Sequence, residues 1–245
     1  MADTLAPAAP GTDAPKGLLS RVVGVLTSPR ATYAAVAARP RALAVFALVL
    51  AIVIGATAIF LSTDIGRQAL IDQQVRSMES FGRQVTDAQY QRLEQMEPYA
   101  AYFSAAGQLI FLPLGALAVA GIAFAVFNAI LGGDASFRQV FAIVAHSGVV
   151  LALQSIFTLP LDYARQSLSS PTNLAVFLPM LDENSFPARM LGSIDLFVIW
   201  WAVSLAIGFG VLYRRRTGPI ATTMIALYVG IAIVIALVKA VASGA

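Results

Sequence analysis

The sequence predicts an all-α polytopic membrane protein, a bundle of five transmembrane helices with an extramembrane helical hairpin between the first two spans. The first observation behind this prediction is composition: 58% of the 245 residues are hydrophobic and 12% are charged, whereas soluble domains carry about 25% charged residues. The second is the distribution of the charges, which leaves five apolar stretches long enough to cross about 30 Å of hydrocarbon as helices. Together they exclude an ordinary soluble enzyme and a disordered chain.

The first part of the chain lacks the pattern of a membrane span. Residues 1–16 are rich in Ala and Pro and are predicted to form a disordered tail, without the basic start of a secretory signal peptide. Residues 17–41 are predicted to form interfacial helices on the inner membrane surface. Apolar residues recur at helical spacing from Leu18, and Pro29 and Pro40 end the two helices. A helix that docks on protein fits this pattern equally well.

The membrane domain is predicted to cover residues 42–242, because the uncharged gaps in this region match the length of a membrane-crossing helix. The stretch 166–181 is also uncharged, but Pro171 and Pro179 interrupt it. It is therefore predicted to lie on the outer rim of the bundle. The five spans are predicted at about 42–63, 107–131, 139–161, 192–213 and 219–241.

The loop between the first two spans, residues 64–104, is predicted to form a helical hairpin outside the membrane. Ile71 and Met78 recur at helical spacing in an otherwise polar segment. Thr86 and Gln89 have the spacing of a capping box, which predicts that the second helix of the hairpin starts there.

The charges also predict an orientation, because positively charged residues concentrate at the cytoplasmic ends of spans. With the N-terminus in the cytoplasm, the inner segments hold nine positive residues and three acids, and the outer segments hold seven positive residues and ten acids. The run Arg214–Arg216 between the last two spans contributes most. The prediction is a multi-pass protein of the cell (inner) membrane with a cytoplasmic N-terminus and an external C-terminus.

Four polar residues at membrane depth are the candidate site residues, because polar groups there are costly to bury and are often functional. They are Asn128, His146, Gln154 and Asp195. Hydrogen bonding between helices explains such residues more often than chemistry does. His146 could instead relay protons or bind a metal. Asp195 could cap its helix or pair with Arg165 or Arg189.

The sequence contains no catalytic motif, and no cofactor or metal site is predicted from it. The chain has no cysteine and one histidine, which excludes disulfides and cysteine-based metal sites. A net charge of +3, scattered along the chain, does not indicate binding to nucleic acid. Small residues at four-residue spacing, as in Ala202, Ala206 and Gly210, predict close packing of helices. The predicted partners are membrane lipid and a membrane protein or a second copy of the chain.

Two segments resemble the YIP-domain family of polytopic membrane proteins, in particular its bacterial members. They are the Gly-x-x-Ser-Phe turn at Gly133, Ser136 and Phe137, and the Asp-Leu-Phe-x-Ile-Trp stretch that begins at Asp195. The resemblance covers Leu18 to Val241 and implies a membrane architecture without an established activity. Eukaryotic relatives are implied to act through Rab-type GTPases. Their acidic Asp-Leu-Tyr-Gly-Pro segment is missing here, so Rab-type GTPase binding is not predicted.

Two functional hypotheses follow from these observations. The first is a non-enzymatic integral membrane protein that acts through interaction with lipid or with a protein partner, since residues that carry chemistry are scarce. The alternative is a small-solute transporter, or the membrane subunit of a transport complex, in which Pro113 and the four polar residues line a cavity. The two hypotheses differ in whether His146 and Gln154 face a hydrated cleft or a neighbouring helix.

Overall fold

A computed structural model of the protein describes residues 17–182 and 185–243, so the predicted disordered tail, residues 1–16, lies outside the described residues. Within the described ranges the chain is helical, and its extended pairing is limited to one isolated bridge between Asn173 and Asp195. The predicted all-α class is therefore confirmed. The α-helices of these ranges are α1 (Leu18–Thr27), α2 (Pro29–Ala38), α3 (Leu43–Leu61), α4 (Asp64–Ser80), α5 (Asp87–Met96), α6 (Ala100–Phe124), α7 (Phe137–Arg165), α8 (Phe186–Gly192), α9 (Leu196–Leu212) and α10 (Thr217–Ser243).

Four helical runs among the described residues are long and apolar enough to cross a membrane. They are Leu43–Leu61, Asp87–Ile130, Phe137–Arg165 and Thr217–Ala242. The predicted fourth span, 192–213, corresponds to α9, a shorter apolar helix of 17 residues. α9 starts at Leu196, later than the predicted start at 192, because Asp195 caps its first turn and the residues before Asp195 belong to a turn after α8. α9 would therefore have to serve as the fifth membrane span. Its length of about 25 Å is somewhat less than the hydrocarbon thickness of about 30 Å.

α7 is the central helix of the bundle. Every residue from Ala142 to Val150 is buried, which is more than a single packing face of a helix would bury. α3, α6 and α9 pack against α7, and α1 and α2 contact it as well. At Gly148 a Cβ atom would lie 3.2 Å from the side chain of Val49, so the small residue lets α3 approach closely.

α1 and α2 form a hairpin that packs on α7 and α9. Pro29 starts α2 at a position where its missing N–H has no helical partner in any case. Tyr33 on α2 is fully buried and shares a 2.6 Å hydrogen bond with Ser204 in the middle of α9. Leu19 and Val23 on α1 stay exposed. The hairpin therefore has one face on the protein and one face outside it.

Small residues form packing faces on α9 and α10. Ala202, Ala206 and Gly210 are buried on α9, as the sequence predicts, and Ala232 and Ala236 are buried on α10. α9 and α10 also pack against each other. Small side chains let their backbones come close, which favours association where no hydrophobic effect drives it.

α4 and α5 form the predicted helical hairpin beyond the end of α3. Arg67 on α4 donates a 2.9 Å hydrogen bond to Glu97 in the turn after α5, and a second one to Asp64. The capping box of Thr86 and Gln89 is present and starts α5. The end of the bundle that carries this pair is called the hairpin end below.

The proline-interrupted stretch 166–181 folds against the hairpin end of the bundle. It contains a 3₁₀ turn, Leu174–Phe177, whose first N–H donates to the carbonyl of Ile194 at 2.9 Å. Leu168 packs on a small apolar cluster formed by Phe60, Leu61 and Ala69 of α3 and α4. The stretch is therefore attached to the spans on one side, through backbone pairing and apolar contact.

α6 ends in a rare helical form. Its α-helical part contains Pro113, and it continues into a π-helical turn at Ala125–Ile130. Gly132 then has φ +70°, a left-handed conformation that glycine adopts without steric cost, and the chain turns toward α7. π-helical turns occur often at functional sites, and this one carries Asn128.

Candidate functional site

Polar side chains of the bundle gather in two clusters at opposite ends. The first lies around Asp195 at the hairpin end. The second lies at the arginine-rich end, where Arg138 Nε donates to the carbonyl of Pro40 at 3.1 Å and Arg215 Nη2 donates to that of Leu131 at 2.8 Å. The arginines of this end are Arg21, Arg30, Arg39, Arg41, Arg138, Arg214, Arg215 and Arg216.

Asp195 is the acceptor at the centre of the hairpin-end cluster. Its Oδ1 accepts from Gln154 Nε2 at 3.0 Å and from the backbone N–H of Phe197 at 2.8 Å. Its Oδ2 accepts from Thr172 Oγ1 at 2.7 Å and from the hydroxyl of Ser170. The residue is only 8% exposed. A buried carboxylate needs such donors, because water is no longer there to solvate it.

The described partners of Asp195 are all neutral groups. Of the two predicted roles, the helix cap is confirmed, since the side chain accepts from the first N–H groups of α9. Arg165, one of the arginines considered as its partner, donates instead to the carbonyl of Ser169 at 3.3 Å. The N–H of Asp195 donates to the hydroxyl of Tyr228 on α10 at 2.9 Å. One residue thus ties α7, α9, α10 and the stretch 166–181 together.

His146 lies fully buried on α7, about two turns from Gln154. Its Nδ1 donates to the carbonyl of Ala142 in its own helix at 2.7 Å, and its Nε2 is buried without a partner among the described residues. The adjacent Ser147 accepts a 3.0 Å hydrogen bond from Trp201 Nε1 on α9. The structure therefore joins Gln154 to the Asp195 cluster and leaves His146 out of it.

Asn128 is the centre of the cluster at the arginine-rich end. Its Nδ2 donates to the carbonyl of Ala135 at 2.6 Å, and its Oδ1 accepts from the hydroxyl of Tyr213 at 2.8 Å. The ring of Tyr213 stacks on Phe127 with 4.7 Å between centroids. At Gly133 a Cβ atom would lie 2.7 Å from the Tyr213 ring, so this position requires glycine. The turn before α7 is therefore built around Tyr213.

Tyr213 begins the turn that joins α9 to α10. Its hydroxyl donates to Asn128 Oδ1, which links this turn to the π-helical turn after α6. Arg214 follows with φ +51°, a left-handed conformation that is uncommon for residues other than glycine. The N–H groups of Arg214 and Arg215 donate back to the last turn of α9 at 3.4 and 2.9 Å. This is the Schellman motif, in which glycine usually holds the position of Arg214.

The same turn borders a cavity of about 570 Å³ at the arginine-rich end, called the arginine cavity below. Its walls include Arg30 from α2, the run Arg214–Arg216, and the first residues of α10, Thr217 and Gly218. Among the described residues, Arg30, Arg214 and Arg216 make no ion pair and no side-chain hydrogen bond. Four arginines thus line one cavity, and no carboxylate of the described residues forms an ion pair with them.

A second cavity, between α1, α3 and α7, is of a different kind. It measures about 100 Å³ and is lined by apolar side chains such as Leu26, Ile52 and Leu153. Ligand clefts measure about 300–1,000 Å³, so this cavity is small for an organic solute. In the part of the chain that the structure describes, no group of three His, Asp or Glu side chains is placed to hold a metal ion.

Sequence reasoning finds the polar residues but misses the arginine cavity. In the sequence the run Arg214–Arg216 serves only as a signal of orientation. Arg30 lies far from it along the chain and reaches the cavity because α2 packs across α9. One sequence signal for this cavity was available. The three arginines stand directly before Thr217, where a helix starts, so positive charge lies beside N–H groups that have no partner within the helix.

With this geometry in view, the Yip1 domain family matches residues 23–239 of the chain. The match runs from α1 to the last turns of α10. The chain belongs to the Yip1 family. No curated protein and no solved structure was found to match it. The predicted family resemblance is thereby confirmed, and the two segments that carry it in this Yip1-family protein lie in the two polar clusters, at Gly133 and at Asp195.

Proposed function

We propose that this Yip1-family protein is a non-enzymatic integral membrane protein that acts through interaction with lipid or with another membrane protein. The observation that carries the proposal is that polar residues of the bundle are already hydrogen-bonded within the protein. Asn128, Gln154 and Asp195 each form hydrogen bonds to another helix or turn. Side chains used in this way hold helices together and are not available to a substrate.

The two cavities support the same proposal. The cavity between α1, α3 and α7 is small and apolar, whereas the arginine cavity is larger and lies beside charged side chains at the arginine-rich end. A site at the end of the membrane-spanning helices is placed to contact lipid headgroups or the surface of a partner protein. It is not placed within the bundle, where a transported solute would pass. Interaction at that end fits the geometry better than passage through the bundle.

We further propose that the protein crosses the inner membrane of a bacterium five times, with α9 as a span and the arginine-rich end in the cytoplasm. Eight arginines and one acid, Asp134, are described at that end, and positive charge favours the cytoplasmic side. Because the chain has no cysteine, single cysteines report topology directly. In intact cells an impermeant maleimide should label Gln84→Cys and leave Arg39→Cys unlabelled; the reverse pattern would contradict this orientation.

Crosslinking in cells tests the interaction itself. A photoreactive residue in place of exposed Leu19 or Leu43 should capture a lipid or a membrane protein, and the purified full-length chain should retain the same molecule in native mass spectrometry. Both positions are more than 70% exposed. Recovery of a monomer that carries neither lipid nor partner would contradict the proposal.

One observation favours the alternative, small-solute transport. His146 Nε2 is buried at membrane depth and has no partner among the described residues, which is unusual for a purely structural group. If the protein is a transporter that uses this nitrogen, cells with His146→Ala should lose uptake of the solute at equal protein levels. An unchanged uptake profile would contradict transport and leave the interaction proposal in place.

A further inference from the structure

We propose that the arginine cavity binds the phosphate group of an anionic phospholipid. The proposal rests on the proposed function, because it names the lipid with which the protein interacts and the place where it does so. The residues that would hold the phosphate are Arg30 on α2, Arg214 and Arg216 in the α9–α10 turn, and the backbone at the start of α10.

The charge of the cavity is the first argument. Like charges that face a common space repel one another, and no carboxylate of the described chain forms an ion pair with Arg30, Arg214 or Arg216. A bound anion would remove this repulsion. Guanidinium groups match phosphate well, because their planar fork of donors can bond two of its oxygens at once.

The backbone of the turn is the second, independent argument. Arg214 has φ +51° at a Schellman position where glycine would fit without strain. Strained residues are often found where the side chain has a role beyond folding. Here the strained residue is one that lines the cavity.

The start of α10 adds donors to the same space. The first N–H groups of a helix have no partner within it, and the positive end of the helix dipole attracts phosphate. Apart from its chain neighbours and the backbone of its own helix, no heavy atom lies within 4 Å of the place where a Cβ atom of Gly218 would be. A ligand can therefore approach the backbone at this residue, which lines the cavity beside the arginines.

The position of the cavity favours a lipid as the source of the phosphate. It lies where α9 ends and α10 begins, which are both apolar helices, so it stands at the level of the headgroups if these helices cross the membrane. Basic pockets between spans at that level are suited to phosphate headgroups, whose acyl chains stay in the hydrocarbon. The volume of about 570 Å³ is within the range of ligand clefts, about 300–1,000 Å³.

The same end of the protein offers a matched control. Arg39 and Arg41 are exposed arginines of the arginine-rich end that do not line the cavity. Replacing both removes as much charge as replacing Arg30 and Arg214. A comparison of the two double variants separates a built site from general surface charge.

The test is a titration of the detergent-purified full-length protein with phosphatidylglycerol, followed by native mass spectrometry. Arg30→Gln with Arg214→Gln should weaken binding about 25-fold, since each arginine near a membrane surface contributes about fivefold. Arg39→Gln with Arg41→Gln should weaken it by less than about threefold. Equal losses in the two double variants would overturn the proposal.

Two further measurements complete the test. Arg214→Gly removes one arginine and relieves the backbone strain, so it should fold at least as well as the wild type and bind phosphatidylglycerol about fivefold more weakly. An excess of inorganic phosphate should displace little lipid; full displacement would assign the cavity to free phosphate and overturn the lipid proposal. If phosphatidylglycerol binding is unaffected by the cavity variants while crosslinking still recovers a partner, this inference is wrong and the proposed function stands.

Discussion

The two ends of the bundle hold charged side chains in opposite ways. At the hairpin end, one carboxylate, Asp195, is buried and surrounded by neutral donors from several segments. At the arginine-rich end, Arg30, Arg214 and Arg216 line a cavity and have no protein acceptor among the described residues. The comparison teaches that the buried carboxylate at the hairpin end is used by the fold itself, whereas the arginines of the cavity remain available to a ligand.

The comparison makes opposite predictions for substitutions at the two ends. At the hairpin end, removal of the charge should damage the fold, because buried donors lose their acceptor. At the arginine-rich end, removal of the charge of Arg30, Arg214 or Arg216 should leave the fold intact and change only binding. The substitutions that follow test this contrast, from the largest expected effect to the smallest.

Asp195→Ala should have the largest effect. Gln154, Ser170 and Thr172 would lose a shared acceptor in a buried site, so the free energy of unfolding should fall by about 3 kcal/mol or more. Denaturant unfolding in detergent micelles measures the loss. Asp87→Ala, at the exposed start of α5, is the matched control and should cost less than about 1 kcal/mol. A loss at Asp195 as small as that of the control would show that the hairpin-end cluster does not hold the fold.

Gly133→Ala tests how the arginine-rich end is built. The added methyl group would lie 2.7 Å from the ring of Tyr213, and relief of this clash should cost about 1–3 kcal/mol. The same unfolding measurement applies. Gly121→Ala on α6 is the control, because no heavy atom beyond its chain neighbours and its own helix backbone lies within 4 Å of the added Cβ. If both substitutions are neutral, Tyr213 does not position the α9–α10 turn as described.

Part of this contrast can be predicted from the sequence and part cannot. The Asp-Leu-Phe stretch predicts the helix cap of Asp195, because a carboxylate before an apolar run is a local signal. Its bonds to Ser170 and Thr172 are not predictable, since the proline-interrupted stretch gives no local sign of where it folds back. The four-residue spacing predicts that Ala202 and Ala206 pack, and they are buried.

The arginine cavity illustrates the limit of sequence reasoning most clearly. Its members come from α2 and from the α9–α10 turn, and only the packing of α2 across α9 brings Arg30 to Arg214. The burial of Tyr33 that holds α2 there is likewise a tertiary effect. A surface helix and a docked helix share one hydrophobic pattern, so periodicity alone does not separate them.

Tyr33→Phe tests how α2 is held against α9, and its expected effect is smaller than those of the two preceding substitutions. It removes the 2.6 Å hydrogen bond to Ser204 and keeps the ring, so the free energy of unfolding should fall by about 1 kcal/mol. Tyr163→Phe is the control, since Tyr163 is 51% exposed. A larger loss at Tyr163 than at Tyr33 would mean that the α1–α2 hairpin is not held by this bond.

Arg214→Gly tests the central claim most directly, that the charge of the arginine cavity is kept for a ligand and not for the fold. Thermal unfolding of the purified protein is measured with and without phosphatidylglycerol, for the wild type and the variant. Without the lipid, the variant should be as stable as the wild type or more stable, by about 0.5–1 kcal/mol, because glycine suits φ +51°. With the lipid, its gain in melting temperature should be smaller than that of the wild type. A less stable variant with an undiminished gain would contradict the account.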